Sequence, residues 1–235
     1  MRTVTAVAHR GDPYRHRENT IDSLRSALRR GADAVEIDVR LTRDGVPVLL
    51  HDGTLKRLWE QDRPLAALSS DEVRGLTAGG VPTLADALAA TDGSRVMIDL
   101  PGDPSSRAVR RIVGIVRDCG AAERVYYCAG AETMLAVRAA DPAAEIALTW
   151  TTLAPPRPAL LDAVRPRWLN YRFGLVDRDL AARVHGGGHL LSVWTPDTRR
   201  SMRRLLEAGV DSITTNRIDA LCAMRGPVGG HTRER

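Results

Sequence analysis

Two histidines, two carboxylates and an arginine lie at or near the ends of apolar runs within residues 8–52 of the chain. His9 and Arg10 follow a short apolar run, Glu36 and Asp38 lie within a second run, and His51 follows a third. Histidines exchange protons near neutral pH, and paired carboxylates bind divalent cations. Together with an arginine that can bind an anion, these residues predict a metal-assisted phosphoryl-transfer site.

The two acids alternate with apolar residues in the segment VEIDV. A strand has a period of two, so Glu36 and Asp38 should point to the same face. Asp99 ends a later strand-like run, VMID, and is a third candidate ligand. Oxygen ligands of this kind suit Mg²⁺ or Ca²⁺. The alternative interpretation is a pair of structural acids that form ion pairs with Arg10 and Arg40.

The two histidines are the candidate catalytic residues, because His9 and His51 each end a strand-like run beside the acids. Such a pair could act as general acid and general base. Arg10 could donate two hydrogen bonds to a phosphate, unless it only pairs with a nearby glutamate. Trp194, near the end of another predicted strand, could form a wall of the pocket, and a core position is the alternative.

Strands and a hairpin must position these groups. Residues 3–8 and 34–39 read as buried strands, with a helix between them whose N-cap is Asn19. The turn at 42–45 contains Asp-Gly, and the apolar run 46–50 follows at once. Neighbouring parallel strands need a crossover of about a dozen residues, so this run should form an antiparallel hairpin with the second strand.

Residues 53–80 are polar and irregular, with a short helix at 70–75, and read as an insertion in the loop after the second strand. Strands and helices then alternate. The six further predicted strands are at 95–100, 124–128, 145–150, 168–172, 190–195 and 211–215. Eight parallel strands, each followed by a helix, predict an α/β fold of the TIM (β/α)8 barrel type. A doubly wound sheet is the competing architecture, but no glycine-rich phosphate loop supports it.

We expect residues 1–225 to form a single domain, since one barrel commonly needs about this length. The tail at 226–235 (GPVGGHTRER) is expected to be disordered. No apolar run approaches the ~18 residues of a membrane span. The N-terminus lacks an apolar secretion segment, which predicts a cytoplasmic protein.

The chain has a net charge of +5, and aromatic residues make up 4% of it. Its arginines are spread along predicted helices and form no basic stripe with aromatics, so nucleic acid is not an expected partner. A small anionic substrate fits the charge better. The three cysteines are isolated, which indicates buried thiols and not a zinc site. The sequence does not indicate an oligomeric state.

The motifs HRG, ENT, EIDV, TRDGVPV and HD occur in this order within residues 8–52. This pattern resembles the glycerophosphodiester phosphodiesterase family, and weaker likeness extends to residues 81–88, 192–198 and 209–219. The resemblance implies a TIM barrel with an insertion after strand two. It also implies metal-dependent hydrolysis of small-molecule phosphodiesters to glycerol 3-phosphate and an alcohol, within lipid and glycerol metabolism. The implied roles are acid and base for His9 and His51, metal binding for Glu36 and Asp38, phosphate contact for Arg10, and loop support for Glu18 and Asn19.

Two positions depart from the family pattern. The family usually has E-x-K on the strand after the metal acids, whereas this chain has Asp99, Leu100 and Pro101. Asn216 stands where the family usually has aspartate. These changes leave the predicted hydrolytic core intact and motivate two alternatives. One is a phosphodiesterase for another diester, such as a lysophospholipid, and the other is a barrel that binds a phosphorylated ligand without turnover.

Overall fold

The computed structural model describes residues 4–225. Residue 3, with which the first predicted strand begins, and the tail at 226–235 lie outside the described residues. Within the described part, every predicted strand is present, with ends that differ from the prediction by no more than two residues.

Nine strands form one sheet. They are β1 (Thr5–His9), β2 (Ala34–Leu41), β3 (Pro47–Leu49), β4 (Arg95–Asp99), β5 (Val125–Ala129), β6 (Glu145–Trp150), β7 (Trp168–Arg172), β8 (Leu190–Trp194) and β9 (Ser212–Thr215). All except β3 run parallel to their neighbours, and β1 pairs with both β2 and β9. The parallel sheet therefore closes on itself, and the predicted TIM barrel is confirmed.

Helices surround the barrel. They are α1 (Ile21–Arg29), α2 (Lys56–Trp59), α3 (Ser70–Leu76), α4 (Leu84–Ala90), α5 (Ser106–Asp118), α6 (Ala131–Ala140), α7 (Pro158–Val164), α8 (Arg178–Gly186), α9 (Arg199–Ala208) and α10 (Ile218–Arg225). The main core lies between these helices and the strands, and it includes Val35, Ile37 and Val39 of β2. Because these three residues face outward, the residues between them face the barrel axis.

The hairpin after β2 forms as predicted. Val39 is opposite Leu49 and Leu41 is opposite Pro47, in antiparallel register. The return strand continues to Leu50, whose N–H donates to the carbonyl oxygen of Asp38 at 3.0 Å. This pairing returns the chain to the level of the inward acids, immediately before His51.

The insertion is more ordered than its composition indicates. Besides the predicted helix, which is α3, it contains α2 and a 3₁₀ turn at Leu65–Ala67. Its leucines pack in a small core of their own, in which Leu65 and Leu68 are 2% and 0% exposed. These leucines are therefore not a free apolar surface for a lipid. Of the helices between residues 4 and 225, none has the length and apolar character needed to cross a membrane.

Candidate active site

A tight loop after β1 positions the first two candidate residues. Arg10 and Gly11 both have positive φ, of 58° and 89°. A Cβ on Gly11 would lie 2.6 Å from the backbone carbon of Ser23, so only glycine fits this close approach. The loop leaves His9 at the barrel mouth and directs the N–H of Arg10 to Oε2 of Glu36, at 2.9 Å.

The three acids converge inside the barrel. One oxygen from each of Glu36, Asp38 and Asp99 can be chosen so that all lie within 4.8 Å of one another. Glu36 and Asp38 are 3% and 1% exposed. The register explains the cluster, because Asp38 of β2 is directly opposite Asp99 of β4. Glu36 and Asp38, which the period-two alternation places on one face, therefore do converge with Asp99 inside the barrel.

The electrostatic state of this cluster is unfavourable without a cation. Burial, followed by the charges of Asp38 and Asp99, raises the pKa of Glu36 well above its usual range. Burial and the charge of Asp38 raise the pKa of Asp99 to about 7. Arg10 offsets part of the charge, since its Nε lies 3.0 Å from Oδ2 of Asp38. The predicted ion pair with Arg10 is thus present beside Asp38, and Arg40 forms no such pair within the described residues. A divalent ion could bind at these three carboxylates.

Asn19 supports Asp38 and does not cap α1, contrary to the prediction. The N-cap is Thr20, whose hydroxyl accepts from the N–H of Ser23. Asn19 has a φ of 57° and is buried. Its Nδ2 donates to Oδ2 of Asp38 at 2.7 Å, and its Oδ1 accepts from the backbone N–H of Asp38 at 3.2 Å. A left-handed asparagine before the helix therefore holds one of the acids in place.

Replacing Asn19 with alanine is expected to lower the free energy of unfolding by about 2 kcal/mol from the lost hydrogen bonds. The positive φ should cost alanine about 1 kcal/mol more, which a matched Asn19→Gly variant would not lose. Urea unfolding of both variants at pH 7 in EDTA would measure the two contributions. Equal stability of wild type and Asn19→Ala would contradict the supporting role.

His9 has a fixed tautomer. Nδ2 of Asn216 donates to Oδ2 of Asp197 at 2.8 Å, which orients the amide and leaves its Oδ1 to accept from Nδ1 of His9, also at 2.8 Å. The other ring nitrogen, Nε2, then has its lone pair free and lies 4.0 Å from Oε2 of Glu36. Burial and the charge of Arg10 lower the pKa of His9. His9 is thus held neutral with Nε2 toward the acids.

His51 has a different partner. Its Nδ1 lies 2.7 Å from Oδ1 of Asp52. The hydrogen bond from Nε of Arg57, at 2.6 Å, lowers the pKa of Asp52 to about 2, so Asp52 stays ionised at neutral pH. Arg57 also donates to Glu18, and Glu18 accepts from Arg10 at 2.9 Å. A chain of charged groups that we call the ionic relay therefore joins Arg10 to His51 through Glu18, Arg57 and Asp52.

All seven predicted site residues line one cavity of about 250 Å³ at the barrel mouth: His9, Arg10, Glu36, Asp38, His51, Asp99 and Trp194. Trp194 is therefore in the wall, and its Nε1 has no hydrogen-bond partner within the described part of the chain. Sequence reasoning missed three polar residues that also line this cavity, Thr149, Asn170 and Thr214. In the sequence, the sign of each is a polar residue at an inward position of a buried strand. Among residues 4–225, Oδ1 of Asn170 and Oγ1 of Thr214 have no hydrogen-bond partner.

The comparison with protein families bears directly on this site. The model of the glycerophosphoryl diester phosphodiesterase family matches residues 9–220. The chain belongs to this family. The match covers both histidines and all three acids.

Individual members of the family are similar to this chain in sequence or in fold. The protein named "Probable glycerophosphodiester phosphodiesterase 2" of Mycobacterium tuberculosis is 31% identical over 92% of this chain and 88% of its own length. The glycerophosphodiester phosphodiesterase of Thermotoga maritima superposes with a TM-score of 0.81 at 20% identity, covering 94% of this chain and 98% of that one. A phosphodiesterase of Oleispira antarctica, solved in complex with the product sn-glycerol-3-phosphate, gives a TM-score of 0.77 at 20% identity, covering 92% and 94%.

Proposed function

We propose that this protein hydrolyses glycerophosphodiesters to glycerol 3-phosphate and an alcohol, with a divalent metal ion and two histidines. One observation supports this most directly. His9 and His51, each held through Nδ1 by a side chain behind it, line the same cavity as three converging carboxylates. The names of the relatives and the sn-glycerol-3-phosphate bound by the Oleispira antarctica protein are in line with this substrate class.

We propose that Glu36, Asp38 and Asp99 hold Mg²⁺ or Ca²⁺, which prefer oxygen ligands. The fit rests on the mutual distances of the carboxylates and on the raised pKa values of Glu36 and Asp99, since a cation would favour both ionised forms. When bound, such an ion supplies positive charge against the developing charge of the phosphoryl group.

His9 is suited to act as the general base. Burial and Arg10 lower its pKa, so the ring is neutral at physiological pH and Nε2 can accept a proton. Asn216 keeps the other nitrogen protonated. The proton accepted at Nε2 would come from a water molecule that attacks phosphorus directly, or from a neighbouring hydroxyl of the substrate. In the second case the hydroxyl would displace the alcohol and form a cyclic phosphate, which water then opens to glycerol 3-phosphate.

His51 is suited to act as the general acid. The ring of His51 contacts the ionised carboxylate of Asp52, which carries a full negative charge. The ring of His9, in contrast, contacts the neutral amide of Asn216. A protonated His51 ring is thus compensated and can give the proton on Nε2 to the departing alkoxide. Arg10, already placed between Glu18 and Asp38, would contact a phosphate oxygen, as its guanidinium has further donors. The free polar groups of Asn170 and Thr214 would suit glycerol hydroxyls.

The Asn216→Asp variant is expected to move the acidic limb of the kcat/KM profile to higher pH by about one unit. A carboxylate beside Nδ1 raises the pKa of His9, so a higher pH is needed to leave Nε2 free to accept a proton. The limb would be measured from pH 4.5 to 9 beside Asn216→Gln, which adds no charge. In a variant that also carries Asp197→Asn, the new carboxylate has no like charge 2.8 Å away, and an unshifted limb there would exclude His9 as the titrating base.

Two observations weigh against the alternatives. A phosphodiesterase for lysophospholipids would need an apolar surface for the acyl chain, but Leu65 and Leu68 of the insertion are buried in its own core. A barrel that only binds a phosphorylated ligand would not need two histidines with fixed tautomers beside a metal site.

The direct test is turnover of a panel of glycerophosphodiesters by the purified full chain, with Mg²⁺, Ca²⁺ or Mn²⁺ or with EDTA. The panel would include the choline, ethanolamine and glycerol diesters, a lysolipid and a chromogenic diester. We expect release of glycerol 3-phosphate that requires a metal. Metal-dependent ligand binding without turnover in any condition would overturn the proposal in favour of a binding protein. Turnover that EDTA leaves unchanged would overturn the metal mechanism.

A further inference from the structure

A second hollow of about 280 Å³, here called the side groove, lies beside the central cavity. Its lining is apolar except for Arg40 and includes Leu65, Ala66, Pro101 and Pro104. The two cavities are adjacent, because each of two chain segments contributes residues to both of them. His51 and Asp99 line the central cavity, and the residues two positions after each, Gly53 and Pro101, line the side groove.

Arg40 is the one charged residue in the lining of this groove, and its charge acts on the protein only at longer range, where it contributes to lowering the pKa of Asp99. It lies two residues after Asp38 on β2 and so belongs to the inward face of the strand. Its Nε donates to the carbonyl oxygen of His51 at 2.7 Å. Within residues 4–225, no carboxylate forms an ion pair with its guanidinium, although the side chain is half-buried.

The chain leaves space for the guanidinium. Gly102 has a φ of 76°, and a Cβ at this position would lie 2.8 Å from Nη1 and 3.3 Å from Nη2 of Arg40. Glycine therefore lets both terminal nitrogens reach the loop that follows β4. A half-buried guanidinium whose two NH₂ groups make no hydrogen bond to any described residue can donate to both oxygens of an anion.

We propose that the side groove holds the departing alcohol of the substrate, and that Arg40 selects alcohols that bear an anionic group, a carboxylate or a second phosphate. The proposal rests on the proposed function. His51 would protonate the departing oxygen, so the alcohol must lie on the His51 side, where Arg40 and Gly53 form the wall. The apolar lining suits the carbon atoms of the alcohol, and a cationic alcohol would meet a like charge.

The expected preference follows from the strength of a charge-assisted hydrogen bond in a partly buried site. Such a bond corresponds to a factor of about 10 to 100 in kcat/KM between a matched anionic alcohol and a neutral one. An ammonium group at the same position should be disfavoured relative to the neutral alcohol.

The test uses three glycerophosphodiesters of similar size, whose alcohols are hydroxypropionate, propanol and ethanolamine. They place a carboxylate, a methyl group and an ammonium at the same distance from phosphorus. For the wild-type chain with its metal, we expect kcat/KM to fall in that order. The variant Arg40→Gln should reduce the ratio between the carboxylate and neutral substrates to nearly one, and Arg40→Lys should retain the order with a smaller spread.

Ratios are compared because loss of the contact to the His51 carbonyl would lower turnover of all three substrates alike. Ala66→Glu is a second, exposed change in the groove and should shift the preference toward the ammonium substrate. The ratio of kcat/KM between the carboxylate and propanol diesters could be the same in wild type, Arg40→Gln and Ala66→Glu, with good turnover of the propanol diester. That result would overturn the proposed role of Arg40 and leave the proposed function intact. No turnover of any of the three diesters would instead overturn the proposed function.

Discussion

Replacing His51 with alanine should lower kcat by about 10²- to 10⁴-fold for a diester with an alkyl alcohol and far less for one with a nitrophenol. A nitrophenolate departs without a proton, so it does not need the general acid. Replacing His9 should lower kcat for both substrates, because the base is needed whichever group departs. Steady-state kinetics on glycerophosphocholine and on glycerol nitrophenyl phosphate, at saturating metal, would separate the two roles.

The matched control is His189→Ala. His189 precedes β8 and so lies at the opposite end of the barrel, where its Nδ1 contacts the carbonyl of Pro166. Its loss should leave kcat within a factor of about two, since a single distant hydrogen bond affects stability and not the chemistry. A His51 variant that loses equal activity on both substrates would show that the assigned roles of acid and base are wrong.

Replacing Asp99 with asparagine should lower turnover by about 100-fold or more and yet stabilise the metal-free protein at high pH. The pKa of Asp99 is raised to about 7 in the folded chain, so the folded state holds this proton more tightly than the unfolded state does. Stability of the metal-free wild type therefore falls as pH rises from about 4 to 7, by at most about 4 kcal/mol from this residue. Asparagine has no such titration and removes the penalty.

Thermal unfolding at pH 5.5 and 8.5, with EDTA or with Mg²⁺ or Ca²⁺, would test this. In EDTA at pH 8.5 the Asp99→Asn variant should melt several degrees above wild type, whereas at pH 5.5 the gain should be smaller. The metal should raise the melting temperature of wild type more than that of the variant. The exposed Asp118 at the end of α5 provides the matched control, Asp118→Asn. A metal-free variant that is less stable than wild type at pH 8.5 would refute the repulsion within the cluster.

The sequence predicts the inner acids because the rule behind them is local. Alternation with Val35 and Ile37 fixes the face of Glu36 and Asp38 before any partner strand is known. The hairpin is equally local, since the short turn at 42–45 leaves no length for a parallel crossover. These two rules account for the meeting of the acids with His51 at the barrel mouth.

What the sequence does not reveal depends on distant partners. Asn19 reads as a helix cap by its position, but its positive φ and its bonds to Asp38 exist only once β2 is in place. Asn216 reads as a departure from the family pattern, and only the folded loop shows that it fixes the tautomer of His9. The four residues of α2 are too few to show helical periodicity, so its position could not be predicted.

The ionic relay also bears on how this barrel could be re-engineered. Arg57 belongs to the insertion, but it bonds to Asp52 behind His51 and to Glu18 beside Arg10. A loop transplanted from another barrel could match the length and the small core of the insertion and still leave Asp52 and Glu18 without the guanidinium that they share. Grafting of substrate-recognition loops onto this scaffold must therefore retain an arginine at position 57 as a fixed part of the framework.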